Sequence, residues 1–144
     1  SALDRFCTNF ELLPESVKTR LTVENDDKAS MYSVKDLMYI HKRIGIPIVF
    51  DYHHHKFCPG DMTEQEALEL AISTWPEGIT PVVHYSESKA LHESNEKLKP
   101  QAHSDYIDNT PNTYGNTVDI MVESKAKELS ILPHLKLNPD LTIS

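Results

Sequence analysis

Apolar positions along the chain follow two rhythms. Val34, Leu37, Met38, His41 and Ile44 recur at the three-and-four spacing that gathers side chains on one face of a helix. Ser33 opens this run with Asp36 three residues on, a capping pair, and Gly45 stands where a left-handed stop is expected. The pattern predicts a helix between Ser33 and Gly45. Thr63 and Glu66 repeat the capping logic ahead of a stripe of Ala67, Leu68, Ala71, Ile72 and Trp75, which Pro76 ends. A third helix is expected from near Glu123 to about Leu132, before Pro133.

The second rhythm is a set of short apolar runs at 21–23, 46–50, 81–83 and 118–122. Such runs between helices are the pattern of parallel strands in β/α units. The order is strand, helix, strand, helix, strand, loop, strand, helix, which is an α/β arrangement. The stretch 85–114 is long and polar and reads as an extended loop after the third strand.

A complete eight-stranded barrel takes roughly 250 residues. Four strands in 144 residues make half of one. Residues 1–144 are therefore expected to form a single domain, the second half of a TIM-type (β/α) barrel whose amino-terminal half lies outside the chain. Half a barrel leaves two open strand edges.

Composition narrows the class. Apolar residues are 39% and charged residues 25%, as in a globular protein. No apolar run approaches the ~20 residues of a membrane span, and the start does not read as a signal peptide. Cys7 and Cys58 give no disulfide framework, which points to a reducing, intracellular setting. The net charge of -8 argues, taken alone, against nucleic-acid binding. Carboxylates gathered around divalent cations are neutralised locally, however, so the count is ambiguous. No P-loop, dinucleotide-binding glycine pattern, Ser-His-Asp order or zinc-finger spacing is present, and no nucleotide cofactor is expected.

What ends each strand changes the picture. The first run is followed by Glu24, the second by Asp51 with His53, His54 and His55 behind it, the third by His84, and the fourth by Glu123. The carboxyl ends of parallel barrel strands are where active sites sit. Carboxylate and imidazole donors without thiolate suit Mn²⁺ or Zn²⁺ better than Ca²⁺.

Each residue also has a plain structural role. Glu24 could be a solvated strand end, Asp51 a hydrogen-bonding group, His84 a core histidine, and Glu123 a helix-start acid favoured by the dipole. All four being plain at once is the weaker account. On an extended segment His53 and His55 share one side and His54 takes the other. One of the three is expected to ligate, one to pack or contact substrate, and one to be exposed. His103 and Asp105 form a further imidazole and carboxylate pair on the long loop. His41 is expected in the core, and His92 and His134 at the surface.

Five segments then occur in a specific order. They are Leu21-Thr22-Val23-Glu24-Asn25-Asp26-Asp27, Phe50-Asp51-Tyr52-His53-His54-His55, Val83-His84-Tyr85-Ser86, Ala102-His103-Ser104-Asp105-Tyr106-Ile107 and Met121-Val122-Glu123-Ser124-Lys125-Ala126-Lys127-Glu128. With Arg5-Phe6-Cys7-Thr8-Asn9-Phe10 upstream, they resemble the UV-damage DNA endonuclease family. The resemblance covers about residues 3–132 and the later half of a family member. It implies a TIM barrel related to endonuclease IV. It further implies nicking of damaged double-stranded DNA immediately 5′ of cyclobutane pyrimidine dimers, 6-4 photoproducts and abasic sites, with a divalent cation cluster. Mn²⁺ is the expected ion, with Zn²⁺ or Mg²⁺ as the other candidates.

By that resemblance Glu24 bridges two metals, Asp51, His84 and Glu123 complete one site, and His54 with His103 serve another. Glu24, Asp51, His84 and Glu123 form the expected catalytic set. The remaining ligands are expected in the missing half of the barrel, and the location in a bacterial cytoplasm or a eukaryotic nucleus. Two rivals differ in class. One is a single-Mn²⁺ sugar isomerase or epimerase of the xylose-isomerase-like barrels, which would have no need of His54 and His103. The other is an inactive half barrel acting as a binding module through its open edges.

Overall fold

The computed structural model describes residues 1–28, 31–88, 109–123 and 141–143. Five parallel strands form one sheet in chain order: β1 Val23–Glu24, β2 Ile48–Asp51, β3 Val82–Tyr85, β4 Asp119–Val122 and β5 Leu141–Ile143. The α/β class and the four expected strands are present, with bounds moved by at most two residues. The fifth strand was not anticipated. The expected helix lies outside the described residues beyond Glu123, and so do His92, His134 and most of the long polar loop.

Two helices form where their caps predicted. Helix α3, Val34–Ile44, follows α1, Ala2–Glu11, and α2, Glu15–Lys18. At its start the Ser33 N–H donates to Asp36 Oδ2 at 2.9 Å and Ser33 Oγ accepts from the Asp36 N–H at 3.3 Å. Gly45 ends it with φ 70, a conformation that costs glycine least. Val34, Leu37 and Ile40 are its buried stripe. His41 is only half-buried, with Nδ1 3.0 Å from the carbonyl of Ile46.

After the short turn α4, Tyr52–His55, comes α5, Glu64–Ile72, which ends before Trp75. Thr74 and Trp75 leave the helix to serve β2 instead. Thr74 Oγ1 accepts from the Ile48 N–H at 2.8 Å, and Trp75 Nε1 donates to the Ile48 carbonyl at 2.8 Å. Both main-chain groups of a fully buried residue are thereby satisfied.

Helix α1 was not foreseen. Leu3, Phe6, Cys7 and Phe10 keep helical spacing, Cys7 and Phe10 are buried in the core, and a polar contact to α3 adds to that packing. Asp4 accepts from Arg43 Nη1 at 2.7 Å and from the hydroxyl of Tyr39, both on α3. The Tyr39 hydrogen bond, foremost, holds the Asp4 carboxyl down to about 2.

Strand alternation divides the sheet into two faces. Ile48, Phe50, Val83, Ile120 and Val122 join Val34, Leu37, Ile40, Ala67, Leu68 and Ala71 in one core. Glu24, Val49, Asp51, His84 and Met121 occupy the other face by register. Parallel strands buried on both faces were expected. Among β1 to β4 only β2 is buried throughout, whereas β3 and β4 alternate. Among the described residues the helices cover one face, and the other presents the strand-end side chains. The approach to β4 is tied down by Tyr52, whose hydroxyl donates to the Asn112 carbonyl at 2.7 Å, and by Tyr114, whose hydroxyl donates to Glu64 at 2.6 Å.

Candidate metal centre

The site grows from the ends of the strands. Glu24 closes β1 and Asp51 closes β2, and Asp51 is also the N-cap of α4. Its Oδ1 accepts from the His54 N–H at 2.9 Å. A carboxylate in that position satisfies a free donor of the first turn. The capping bond therefore bends the chain into a helical turn directly after the strand.

That turn corrects the expectation of an extended histidine run. His53 and His55 still separate from His54, but through helical rotation rather than strand alternation. None of the three is fully exposed, contrary to expectation. His53 packs edge-on against Phe57 with ring centres 5.2 Å apart, and His55 lies 5.4 Å from the Phe50 ring. Burial, first of all, pushes the His55 imidazole below its ordinary value and favours the neutral form. His54 alone turns back toward the carboxylates.

Glu24, Asp51 and His54 each offer one donor atom, and these atoms all lie within 4.8 Å of one another. Two donors that share an ion at ~2.0–2.2 Å stand at most about 4.4 Å apart. A small side-chain closure would therefore let all three reach one cation. The set contains two carboxylates and one imidazole, with Asp51 only 3% exposed. Burial outweighs its hydrogen bond and raises the Asp51 carboxyl above its ordinary value. A buried carboxylate that disfavours its own charge gains most from a cation. The donor set fits a divalent ion of the Mn²⁺, Zn²⁺ or Mg²⁺ type.

His84 joins through Glu24, with Nδ1 2.9 Å from Glu24 Oε2. The hydrogen bond between them is the main cause of a lowered Glu24 carboxyl and a raised His84 imidazole. His84 is also the register partner of Asp51. Glu123 stands one residue past β4, and its N–H donates to the Tyr85 carbonyl at 2.9 Å, extending the ladder. Alternation puts it on the face of Met121 and His84. It is exposed and is not one of the three clustered donors. His103 and Asp105 lie outside the described residues.

Asn25 escaped the sequence reading, hidden in the polar run Asn25-Asp26-Asp27. It is 0% exposed. Its Oδ1 accepts from the Asp51 N–H at 2.8 Å and its Nδ2 donates to the Asp51 carbonyl at 3.0 Å. Its own carbonyl lies 2.8 Å from His54 Nδ1. That distance is shorter than the 3.5 Å from the same nitrogen to Asp51 Oδ2, so the carbonyl is the partner. A carbonyl only accepts, so Nδ1 carries a proton, and in the neutral ring the lone pair is then on Nε2.

A family model described as UV-endonuclease UvdE matches residues 1–143. The chain belongs to this family. Among UvdE relatives, the UV-damage endonuclease of Schizosaccharomyces pombe is 39% identical over 135 residues, which is 90% of this chain and 22% of that protein. The UV DNA damage endonuclease of Bacillus cereus strain Q1 is 36% identical over 140 residues, covering 91% of this chain and 42% of the relative. The crystal structure of SacUVDE matches with a TM-score of 0.79 at 35% identity, covering 96% of this chain and 46% of that one.

This UvdE chain thus spans less than half the length of the relatives it matches. These likenesses favour the endonuclease resemblance over the sugar isomerase. No helix among the described residues is long and apolar enough to cross a membrane.

Proposed function

We propose that the chain is the carboxyl-terminal portion of a divalent-metal endonuclease that nicks double-stranded DNA 5′ of UV photoproducts and abasic sites. The observation that carries this is the convergence of Glu24, Asp51 and His54 within 4.8 Å, in a chain of the UvdE family. The parallel sheet, in this reading, is half of a TIM-type barrel, and the face bearing Glu24, Asp51 and His84 lines its mouth. Support comes from the edge of β1. Among the described residues β1 pairs on one side only, and a pocket of about 260 Å³ lined in part by Leu3, Phe6, Val23, Leu37 and Ile40 lies beside it.

Glu24 is positioned to be shared. It touches His84 on one side and neighbours Asp51 and His54 on the other. In our assignment Glu24 bridges two cations, Asp51, His84 and Glu123 complete one position, and His54 serves the next together with His103. Mn²⁺ is the ion we favour. Bound divalent cations supply a polarised phosphoryl oxygen and a water whose pKa falls to about 7.

The residues themselves hold that charge in place. A chain of net charge -8 would otherwise repel a phosphate backbone. The expected products are a 3′-hydroxyl and a 5′-phosphate beside the lesion. Selection would follow from a distorted, easily unstacked duplex rather than from base edges.

The test is nicking of UV-irradiated supercoiled plasmid by the full-length protein with Mn²⁺. Activity should vanish with a chelator. Glu24→Gln should lower nicking beyond the ~10–100-fold typical of lost outer-shell partners. Wild-type turnover by that variant would refute the assignment.

A further inference from the structure

The strand β1 ends after two residues, yet its neighbour continues to Asp51. Asp51 would be left without a main-chain partner on that side. The Asn25 side chain fills the gap with one donor and one acceptor, at 3.0 Å and 2.8 Å, in the pattern of one more ladder rung. It does this while fully buried. The same residue presents its carbonyl to His54 Nδ1 at 2.8 Å. It also follows Glu24 directly in the chain. Three prospective cation donors are therefore referred to one buried residue: Glu24 by the peptide bond, Asp51 through the Asn25 side-chain amide, and His54 through the Asn25 main-chain carbonyl.

We infer that Asn25 is a positioning residue for the cation site, fixing the Asp51 main chain and the Nδ1-protonated tautomer of His54, which leaves Nε2 as the nitrogen able to ligate. The inference rests on the metal-site reading above. A purely structural asparagine would explain the two bonds to Asp51, but it would leave the ring of His54 unaffected by its loss. Ligating histidines commonly give their second nitrogen to a carbonyl or carboxylate, which sets both tautomer and ring angle. The carbonyl of Asn25 supplies that contact, and the amide of the same residue holds the carbonyl where the ring can reach it.

The experiment uses the full-length protein with two substitutions, Asn25→Leu, similar in size and unable to hydrogen-bond, and Asn25→Ser, small and unable to span both Asp51 groups. Mn²⁺ affinity is read from the free-ion electron paramagnetic resonance signal. The His54 tautomer is read by ¹⁵N NMR of histidine-labelled, metal-free protein, assigned by difference with His54→Gln. Circular dichroism checks the fold.

The expected result is a ~10–100-fold weaker Mn²⁺ affinity, as for other outer-shell partners, with a mixed His54 tautomer in a folded protein. Wild-type affinity in either folded variant overturns the inference. So does weakened affinity with the His54 spectrum unchanged. If Asn25→Leu fails to fold, Asn25→Ser decides alone. Asp51→Asn is the control on the parent reading. Unchanged Mn²⁺ binding there would sink the metal site itself. Its loss there beside wild-type binding in the Asn25 variants would sink only the positioning role.

Discussion

Glu24 Oε2 lies 2.9 Å from His84 Nδ1, a contact that joins the end of β1 to the end of β3 across the intervening strand β2. The pair couples a carboxylate to an imidazole. The lowered Glu24 carboxyl and the raised His84 imidazole both trace first to that hydrogen bond.

The pH dependence follows from the two directions. His84, raised from 6.5, contributes stability that is full below 6.5 and is lost as pH rises through its folded value. Glu24, lowered from 4.5, contributes stability that is present above 4.5 and is lost as pH falls through its folded value. Both contributions are whole between 4.5 and 6.5. On the proposed assignment of His84 as a ligand, a cation would displace its proton, so Mn²⁺ affinity should climb with pH through the raised His84 value. Calorimetric titration at several pH values checks this, and affinity that does not change as pH rises from 6.5 would count against His84 as a ligand.

Asp51→Asn separates metal binding from folding. The amide keeps an oxygen for the His54 N–H and removes a buried charge. A carboxyl raised by burial takes stability away as pH climbs past its ordinary value, so its removal should not harm the metal-free chain at neutral pH. Thermal melts in chelator should show an equal or higher midpoint, while Mn²⁺ binding falls at least tenfold. A lower midpoint in chelator would mean that the charged form is stabilised by contacts beyond those described.

Two glycines with positive φ should respond differently to alanine. Gly45 has φ 70 and open space around a built Cβ, so only backbone strain opposes Gly45→Ala, at about 1–2 kcal/mol. Gly60 has φ 60, and a Cβ there would overlap the Ser33 side chain that caps α3. Gly60→Ala should add the loss of that cap, a further ~1 kcal/mol. Urea titrations of the pair decide this, and equal costs would remove the link between Gly60 and the cap.

The local rules in the sequence read α3 well, because Ser33, Asp36 and Gly45 are sufficient by themselves to start and stop a helix. They misread 53–55, where apolar alternation from the strand was extrapolated past Asp51. The carboxylate of Asp51 caps the next turn, and a side-chain bond of that kind leaves no periodic signal. Helix α1 was legible but went unread: Ser1 and Asp4 form a capping box, and Leu3, Phe6, Cys7 and Phe10 keep helical spacing. Its polar contacts to Tyr39 and Arg43, more than thirty positions away, are what needed the tertiary structure.

By itself the sequence determined the alternation of helices and strands, and it set metal-competent side chains at Glu24, Asp51, His84 and Glu123, one beyond each of four apolar runs. The tertiary structure decided which of them meet. Register brings Asp51 opposite His84, and the capped turn swings His54 back to Glu24 and Asp51. Only in the folded chain does Asn25 become a rung of the sheet. The physical reason is that residue type and spacing are properties of one segment. A shared cation site, or a buried amide that completes another strand, depends on distances between segments, which exist only once the strands have paired.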